Sequence, residues 1–71
     1  VSSVRYNLFM IVIRTAPGSA SWVAGILDKQ FPKEILGTLA GDDTIFIAPA
    51  KDQNLPVLAQ TLANFLQVSC A

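Results

Sequence analysis

Two adjacent carboxylates lie in a short, glycine-flanked segment of this chain. Residues 37–44 read Gly-Thr-Leu-Ala-Gly-Asp-Asp-Thr, and the apolar residues 45–47 follow directly. A pair of negative charges beside a hydrophobic strand is costly unless water or a cationic group compensates it. One interpretation of Asp42 and Asp43 is an ordinary hairpin turn, in which Gly and Asp are common. The other is a binding site for a guanidinium or ammonium group.

A helix start earlier in the chain offers complementary chemistry. Pro17, Gly18 and Ser19 interrupt an apolar strand and are typical of a helix N-terminus, with Ser19 as the candidate cap. The free N–H groups of a helix N-terminus readily hold a carboxylate. Together with an acidic turn, such a helix start would suit an amino acid with a cationic side chain.

Catalytic chemistry is poorly supported by the same residues. The chain has no His, which is the usual general acid or base near neutral pH. Asp42 and Asp43 are neighbours, and neighbouring side chains in extended backbone point to opposite faces, so they would not easily share a proton unless the turn brings them together. The Ser and Thr hydroxyls have no base to activate them. We therefore predict that the chain is not an enzyme.

Composition excludes several further classes of partner. With no His and one Cys, a zinc site is ruled out, and the lone Cys70 fits a reducing cytoplasm. The net charge is zero and the five Lys and Arg residues are scattered, so we expect no contact of this segment with nucleic acid. The longest apolar run, 8–13, is far short of the roughly 20 residues that span a bilayer. We expect a cytoplasmic domain without metal or cofactor.

Hydrophobic periodicity and turn residues predict the elements that position these groups. In chain order they are the tail of a strand at 1–4, a turn at 5–7, a strand at 8–15, a helix at 19–30, strands at 35–40 and 44–48 around a turn at 41–43, a loop at 49–53, and a second helix that Asn54 caps and that has Pro56 in its first turn. The order β-β-α-β-β-α predicts an α+β fold. Its small, mainly antiparallel sheet has a truncated first strand and carries two helices on one face.

The surface of this domain is expected to be covered in part by other copies of the chain. Only 14% of its 71 residues are charged, against roughly 25% in typical soluble domains. Two helices can cover only one face of the sheet, which leaves the other face, or one helix flank, to a neighbouring subunit. The apolar stripe of the first helix is predicted from the helical spacing of Ala20, Val23, Ala24 and Leu27. Trp22 lies off this stripe, and the sequence leaves open whether it flanks the core or forms a subunit contact. Asp28 near the end of that helix opposes the helix dipole, so a cationic partner is expected for it.

Two motifs resemble a known family. The segment 37–44 and the segment 14–20, Arg-Thr-Ala-Pro-Gly-Ser-Ala, look like the C-terminal domain of bacterial arginine repressors, and Ile-Leu-Asp at 26–28 lies between them. The resemblance covers essentially the whole chain. It implies trimers that stack in pairs into hexamers, with L-arginine bound between the trimers as corepressor. It also implies that operator DNA is bound by a separate N-terminal winged helix-turn-helix domain. We therefore expect 1–71 to be one arginine-binding oligomerisation domain, and a fragment of a longer protein.

The resemblance also assigns residues to the ligand. Asp42 and Asp43 resemble the pair that fixes the cationic groups of arginine, and Asp28 resembles a further acid of the pocket. Thr38 and Ala40 resemble the pocket wall. Which aspartate meets the guanidinium and which the α-amino group is left open.

Ser21 is the departure from the family pattern. Related domains commonly carry a longer polar residue such as Gln or His at this position, so the contact of Ser21 with arginine would be water-bridged or lost.

An arginine-sensing hexamerisation domain of a regulator of arginine metabolism is the leading interpretation. A purely structural assembly domain without ligand response is the alternative, and a regulatory domain of an enzyme that binds another amino acid is a third.

Overall fold

The computed structural model describes residues 1–70, which form four strands and two helices. In chain order these are β1 (Ser3–Tyr6), β2 (Ile11–Arg14), α1 (Ala20–Gln30), β3 (Ile35–Ala40), β4 (Thr44–Pro49) and α2 (Leu55–Leu66). The predicted α+β fold and its β-β-α-β-β-α order are confirmed, with a first strand of four residues.

The four strands form one antiparallel sheet in the order β1-β2-β4-β3. In the central pair, Ile13 lies opposite Ile45 and Ile11 opposite Ile47, and all four side chains are fully buried. Because side chains alternate along a strand, these four residues share one face of the sheet. β3 is an edge strand, and its pairing with β4 is irregular between residues 35 and 37.

Both helices pack on that buried face, α1 over β3 and β4 and α2 over β1. The predicted stripe of α1 is buried, and in α2 the buried residues are Leu58, Ala59, Leu62 and Ala63. The ring of Phe31, just after α1, meets the ring of Phe65 on α2 edge to face, with centroids 5.3 Å apart. Apolar burial between sheet and helices therefore holds the domain together.

The predicted boundary between the turn at 5–7 and the strand at 8–15 is wrong. Arg5 and Tyr6 belong to β1, whereas Leu8 and Phe9 lie in the connection to β2 and are 84% and 78% exposed. The cause is Asn7, whose side-chain Oδ1 accepts hydrogen bonds from the N–H groups of Phe9 and Met10, each at 2.9 Å. Such a side chain offers the backbone a turn in place of a sheet ladder.

The two helices begin differently. Asn54 caps α2 as predicted, since its Oδ1 accepts the N–H of Val57 at 3.0 Å, and a proline lies in the first turn. Ser19 occupies the N-cap position of α1, but its side chain makes no cap hydrogen bond. The first turn of α1 is therefore less satisfied than that of α2.

The other face of the sheet carries apolar side chains without cover from this chain. Leu39 and Phe46 are register partners on that face and are 72% and 45% exposed. Met10 and Val12 beside them are half-buried. Trp22 on α1 is 73% exposed, so it does not flank the core, and a subunit contact remains a prediction for it. We call the sheet face formed by Met10, Val12, Leu39 and Phe46 the open face.

The remaining structural expectations concern the C-terminal end, metals and membranes. The half-buried Cys70 bridges to Val4 in parallel, beside the outer edge of β1, and its thiol is free. Residues 1–70 contain no cluster of three or more His, Cys, Asp or Glu side chains arranged to hold a metal ion. In the same range, no helix has the length and apolar character needed to cross a bilayer.

Candidate functional site

The acidic turn between β3 and β4 is fastened to the segment that leads into α1. The carbonyl of Asp42 accepts the N–H of Gly18 at 3.0 Å and, over a longer 3.4 Å, that of Ala20. The carbonyl of Asp43 accepts the N–H of Thr15 at 2.8 Å. These backbone bonds bring the two motifs of the sequence together, although the bonded residues are 22 to 28 positions apart.

The two carboxylates of this turn have different surroundings. Oδ1 of Asp43 accepts a hydrogen bond from the Thr44 hydroxyl at 2.8 Å, and that hydroxyl accepts one from Nη1 of Arg14 at 3.0 Å. Asp43 is half-buried. Asp42 is exposed, and its side chain makes no hydrogen bond with another of the residues 1–70. One carboxylate is thus held in place, and the other is free to meet a partner from outside the chain.

A second acid lies at the other end of α1. The hydroxyl of Thr38 on β3 donates a hydrogen bond to Oδ2 of Asp28 at 3.0 Å. A cationic partner was expected for Asp28, but within the single chain its hydrogen-bond partner is a neutral hydroxyl. Thr38 and Ala40 point to the helix side of the sheet, since they lie opposite the buried Ile47 and Ile45.

Ser21 and Asp28 share one side of α1. They are seven positions apart, which is about two turns, or roughly 10 Å along the axis. Ser21 is exposed. The acidic turn is tied to the start of α1 and Thr38 is tied to its end, so the predicted site residues follow the seam between α1 and edge strand β3. We call this line of residues, Ser21, Asp28, Thr38, Ala40, Asp42 and Asp43, the α1–β3 seam.

The start of α1 adds hydrogen-bond donors to the seam. Ser19 gives no side-chain cap, and within residues 1–70 neither Ser21 nor Trp22 donates its backbone N–H to another group. Gly18 reaches this position with φ of +84°, which an L side chain rarely adopts. Carboxylates for a cation and N–H groups for an anion thus occur along one seam, which is the chemistry that a zwitterionic amino acid requires.

Sequence reasoning missed two members of this arrangement. Arg14 and Thr44 stand in the two motifs but were not assigned to the site. They are register partners at the ends of β2 and β4, and 30 positions separate them. Only the pairing of those two strands reveals their contact, and a short-range pattern carries no signal for it.

Comparison with known proteins identifies relatives of this chain. The family model of the arginine repressor C-terminal domain matches residues 1–64. The arginine repressor of Chlamydia felis is 57% identical over 68 residues, which are 96% of this chain and 46% of the relative. The corresponding protein of Anaeromyxobacter sp. (strain K) is 53% identical over 66 residues, 93% of this chain and 41% of the relative.

A more distant relative extends the same picture. The arginine repressor of Pasteurella multocida is 43% identical over 70 residues, 97% of this chain and 45% of the relative. The chain thus spans less than half the length of the curated relatives it matches. Because the family model and these relatives cover nearly all of it, the chain belongs to the arginine repressor C-terminal domain family.

Proposed function

We propose that this chain is the L-arginine-sensing and oligomerisation domain of a cytoplasmic transcriptional regulator of arginine metabolism. Arginine acts as the corepressor and the domain as its receptor. Operator DNA is bound by an N-terminal winged helix-turn-helix domain outside the 71 residues. The observation that carries the proposal is the acidic turn, whose backbone is fixed by Gly18 and Thr15 while the Asp42 carboxylate has no partner among residues 1–70.

A guanidinium is the ligand group that fits this turn best. Its planar fork of N–H donors can meet a carboxylate with two parallel hydrogen bonds, whereas the compact ammonium of lysine cannot match that fork. Such a pair also removes the electrostatic cost of two neighbouring carboxylates beside a hydrophobic strand. The family name and the acidic turn therefore support the same ligand.

The rest of the seam supplies contacts for the amino-acid end of the ligand. The Asp28 carboxylate, which accepts the Thr38 hydroxyl, can also accept a hydrogen bond from an ammonium group. The unused N–H groups of Ser21 and Trp22 at the start of α1 can receive an α-carboxylate. We leave open which aspartate meets which cationic group, because two trimers would contribute acidic turns to one site.

Self-association is the second half of the proposal. The open face exposes Leu39 and Phe46, and monomeric proteins rarely leave contiguous apolar surface without cover. We propose that the chain forms trimers and that two trimers stack into a hexamer with arginine between them. A ligand that binds only the assembled form favours assembly through mass action, so arginine concentration would control the hexamer.

Ser21 bears on how strongly arginine is bound. Its side chain is exposed and makes no hydrogen bond within residues 1–70, and it is short. We propose that a water molecule bridges it to the ligand. If that bridge and the acidic contacts fail, the second candidate function applies, which is assembly without ligand response.

Sedimentation velocity separates the two candidate functions. The chain would be measured at one protein concentration with no addition, with L-arginine, and with L-lysine as the matched cationic control. Arginine-sensing predicts a shift to larger species with L-arginine and little or no shift with L-lysine. An assembly of unchanged size in all three samples would contradict arginine-dependent assembly and favour the structural alternative.

A further inference from the structure

Arg14 and Thr44 form a hydrogen-bonded relay that ends on one of the two acids of the turn. Nη1 of Arg14 lies 3.0 Å from Oγ1 of Thr44, and that oxygen lies 2.8 Å from Oδ1 of Asp43. The two relay residues are opposite each other at the ends of β2 and β4, so the sheet itself sets their separation. We propose that Arg14 and Thr44 are positioning residues for the carboxylate of Asp43 in arginine binding, an inference that rests on the proposed function.

The donor chemistry fixes the direction of the relay. A guanidinium has N–H donors and no acceptor, so Thr44 must accept from Arg14. The single hydroxyl proton of Thr44 is then left for Asp43, which as a carboxylate can only accept. Each bond polarises the next in the same direction, so the two bonds strengthen one another. The guanidinium thereby acts on the carboxylate through the hydroxyl.

The relay orients the side chain of Asp43, just as the backbone hydrogen bonds fix the backbone of the turn. The carbonyls of Asp42 and Asp43 are fixed by Gly18 and Thr15, but those bonds leave the carboxylate of Asp43 free to rotate. The Thr44 hydroxyl occupies Oδ1 and so orients Oδ2 before a ligand arrives. Ordering a binding group in advance removes part of the entropy that association would otherwise cost.

Asp42 provides the contrast within the same turn. It is exposed and has no side-chain hydrogen bond within residues 1–70. The turn therefore combines one carboxylate that is oriented in advance with one that can adapt to the ligand. Asp43 is therefore the acid that is oriented in advance. Arg14 contributes to that orientation, a function that its exposed position alone would not indicate.

The test uses paired substitutions at Thr44 and arginine calorimetry on the full chain. Thr44→Val keeps the branched shape that suits a strand but lacks the hydroxyl, whereas Thr44→Ser keeps the hydroxyl and lacks the methyl group. We expect Thr44→Val to raise the Kd for L-arginine about three- to tenfold, as for one lost hydrogen bond, and Thr44→Ser to stay near the unmodified chain. A purely structural role would not separate the two variants in this order.

A substitution cycle with Arg14 tests the relay as a unit. Arg14→Met should weaken binding, and the double variant Arg14→Met/Thr44→Val should bind no more weakly than Thr44→Val alone, because removing the hydroxyl already interrupts the relay. Lys51→Met is the matched control, since Lys51 is also an exposed cation and lies in the loop before α2, away from the open face. It should leave the Kd unchanged.

The outcomes distinguish this inference from the proposed function. An unmodified chain that binds arginine, together with Thr44→Val and Arg14→Met variants of equal affinity, would overturn the relay and leave the arginine site intact. Additive losses at the two positions, or an equal loss in Lys51→Met, would also overturn it. An unmodified chain that binds no arginine would overturn both proposals at once.

Discussion

The Thr38 hydroxyl donates a hydrogen bond to Oδ2 of Asp28 over 3.0 Å and so joins the last turns of α1 to edge strand β3. The bond orients Asp28 without neutralising it, because a hydroxyl carries no charge. The Asp28 carboxylate thus remains available to a cation. It lies at one end of the α1–β3 seam, and the acidic turn lies at the other end, beside the start of α1. Two regions of the chain that the family resemblance assigns to one ligand are in this way linked within a single subunit.

Neutral substitution of the acidic turn tests its part in binding. Asp42→Asn and Asp43→Asn each preserve size and remove the charge, so we expect loss of measurable L-arginine binding and an intact fold, because the backbone bonds of the turn remain. Calorimetry measures the binding, and circular dichroism and sedimentation check the fold and the state of assembly.

Asp52→Asn is the matched control for these two variants. Asp52 is exposed, lies in the loop before α2 and adopts φ of 68°, a conformation that Asn also tolerates. It should bind arginine as the unmodified chain does. If Asp42→Asn and Asp43→Asn retained native affinity, the assignment of the turn to the ligand would fail.

A charge on the open face should prevent self-association. Leu39→Glu places a carboxylate on a side chain that is 72% exposed in the single chain, so it costs the isolated fold little but introduces an unpaired charge into the interface proposed for this face. We expect a shift towards monomers, measured by size-exclusion chromatography with light scattering. Val57→Glu on α2, at a side chain 62% exposed, is the control and should leave assembly unchanged. Equal assembly of both variants would remove the open face from the interface.

Alanine substitution at the two helix N-caps should lower the stability of the domain by different amounts. Asn54→Ala removes the cap bond to Val57 and should lower the free energy of unfolding by about 1 kcal/mol. Ser19→Ala removes a side chain that makes no cap bond, so we expect a change below about 0.5 kcal/mol. Urea unfolding at one fixed protein concentration compares the two, since assembly contributes to apparent stability. A larger loss for Ser19→Ala would contradict the described start of α1.

Most of the fold followed from local patterns. The stripe Ala20, Val23, Ala24 and Leu27 is buried as its helical spacing predicts, and the strands on either side of the acidic turn lie within one residue of their predicted limits. One local failure lies at Asn7, where a side-chain hydrogen-bonding pattern ends β1 while the apolar Leu8 and Phe9 imitate a strand. Another is the predicted cap Ser19, whose side chain makes no cap hydrogen bond. The expectation that the domain is not an enzyme is confirmed by its membership in a family of repressors.

The site was less accessible to sequence reasoning than the fold. The acidic pair could be recognised because its two members are adjacent. The contacts Thr38–Asp28 and Arg14–Thr44 depend on how α1 lies on β3 and how β2 pairs with β4. Burial over the whole sheet determines this packing and this pairing, so neither can be predicted from a single segment of the sequence. The arginine site and the hexamer stay predictions.

The most direct measurement is a calorimetric titration of the chain with L-arginine, with L-citrulline as the control ligand. Citrulline keeps the shape of arginine and replaces the charged guanidinium by a neutral urea group, so it lacks the charge that the carboxylates of the turn require. We expect saturable binding of L-arginine and no measurable binding of L-citrulline. Equal binding of both ligands would contradict a carboxylate-based site, and binding of neither would leave the domain with assembly alone.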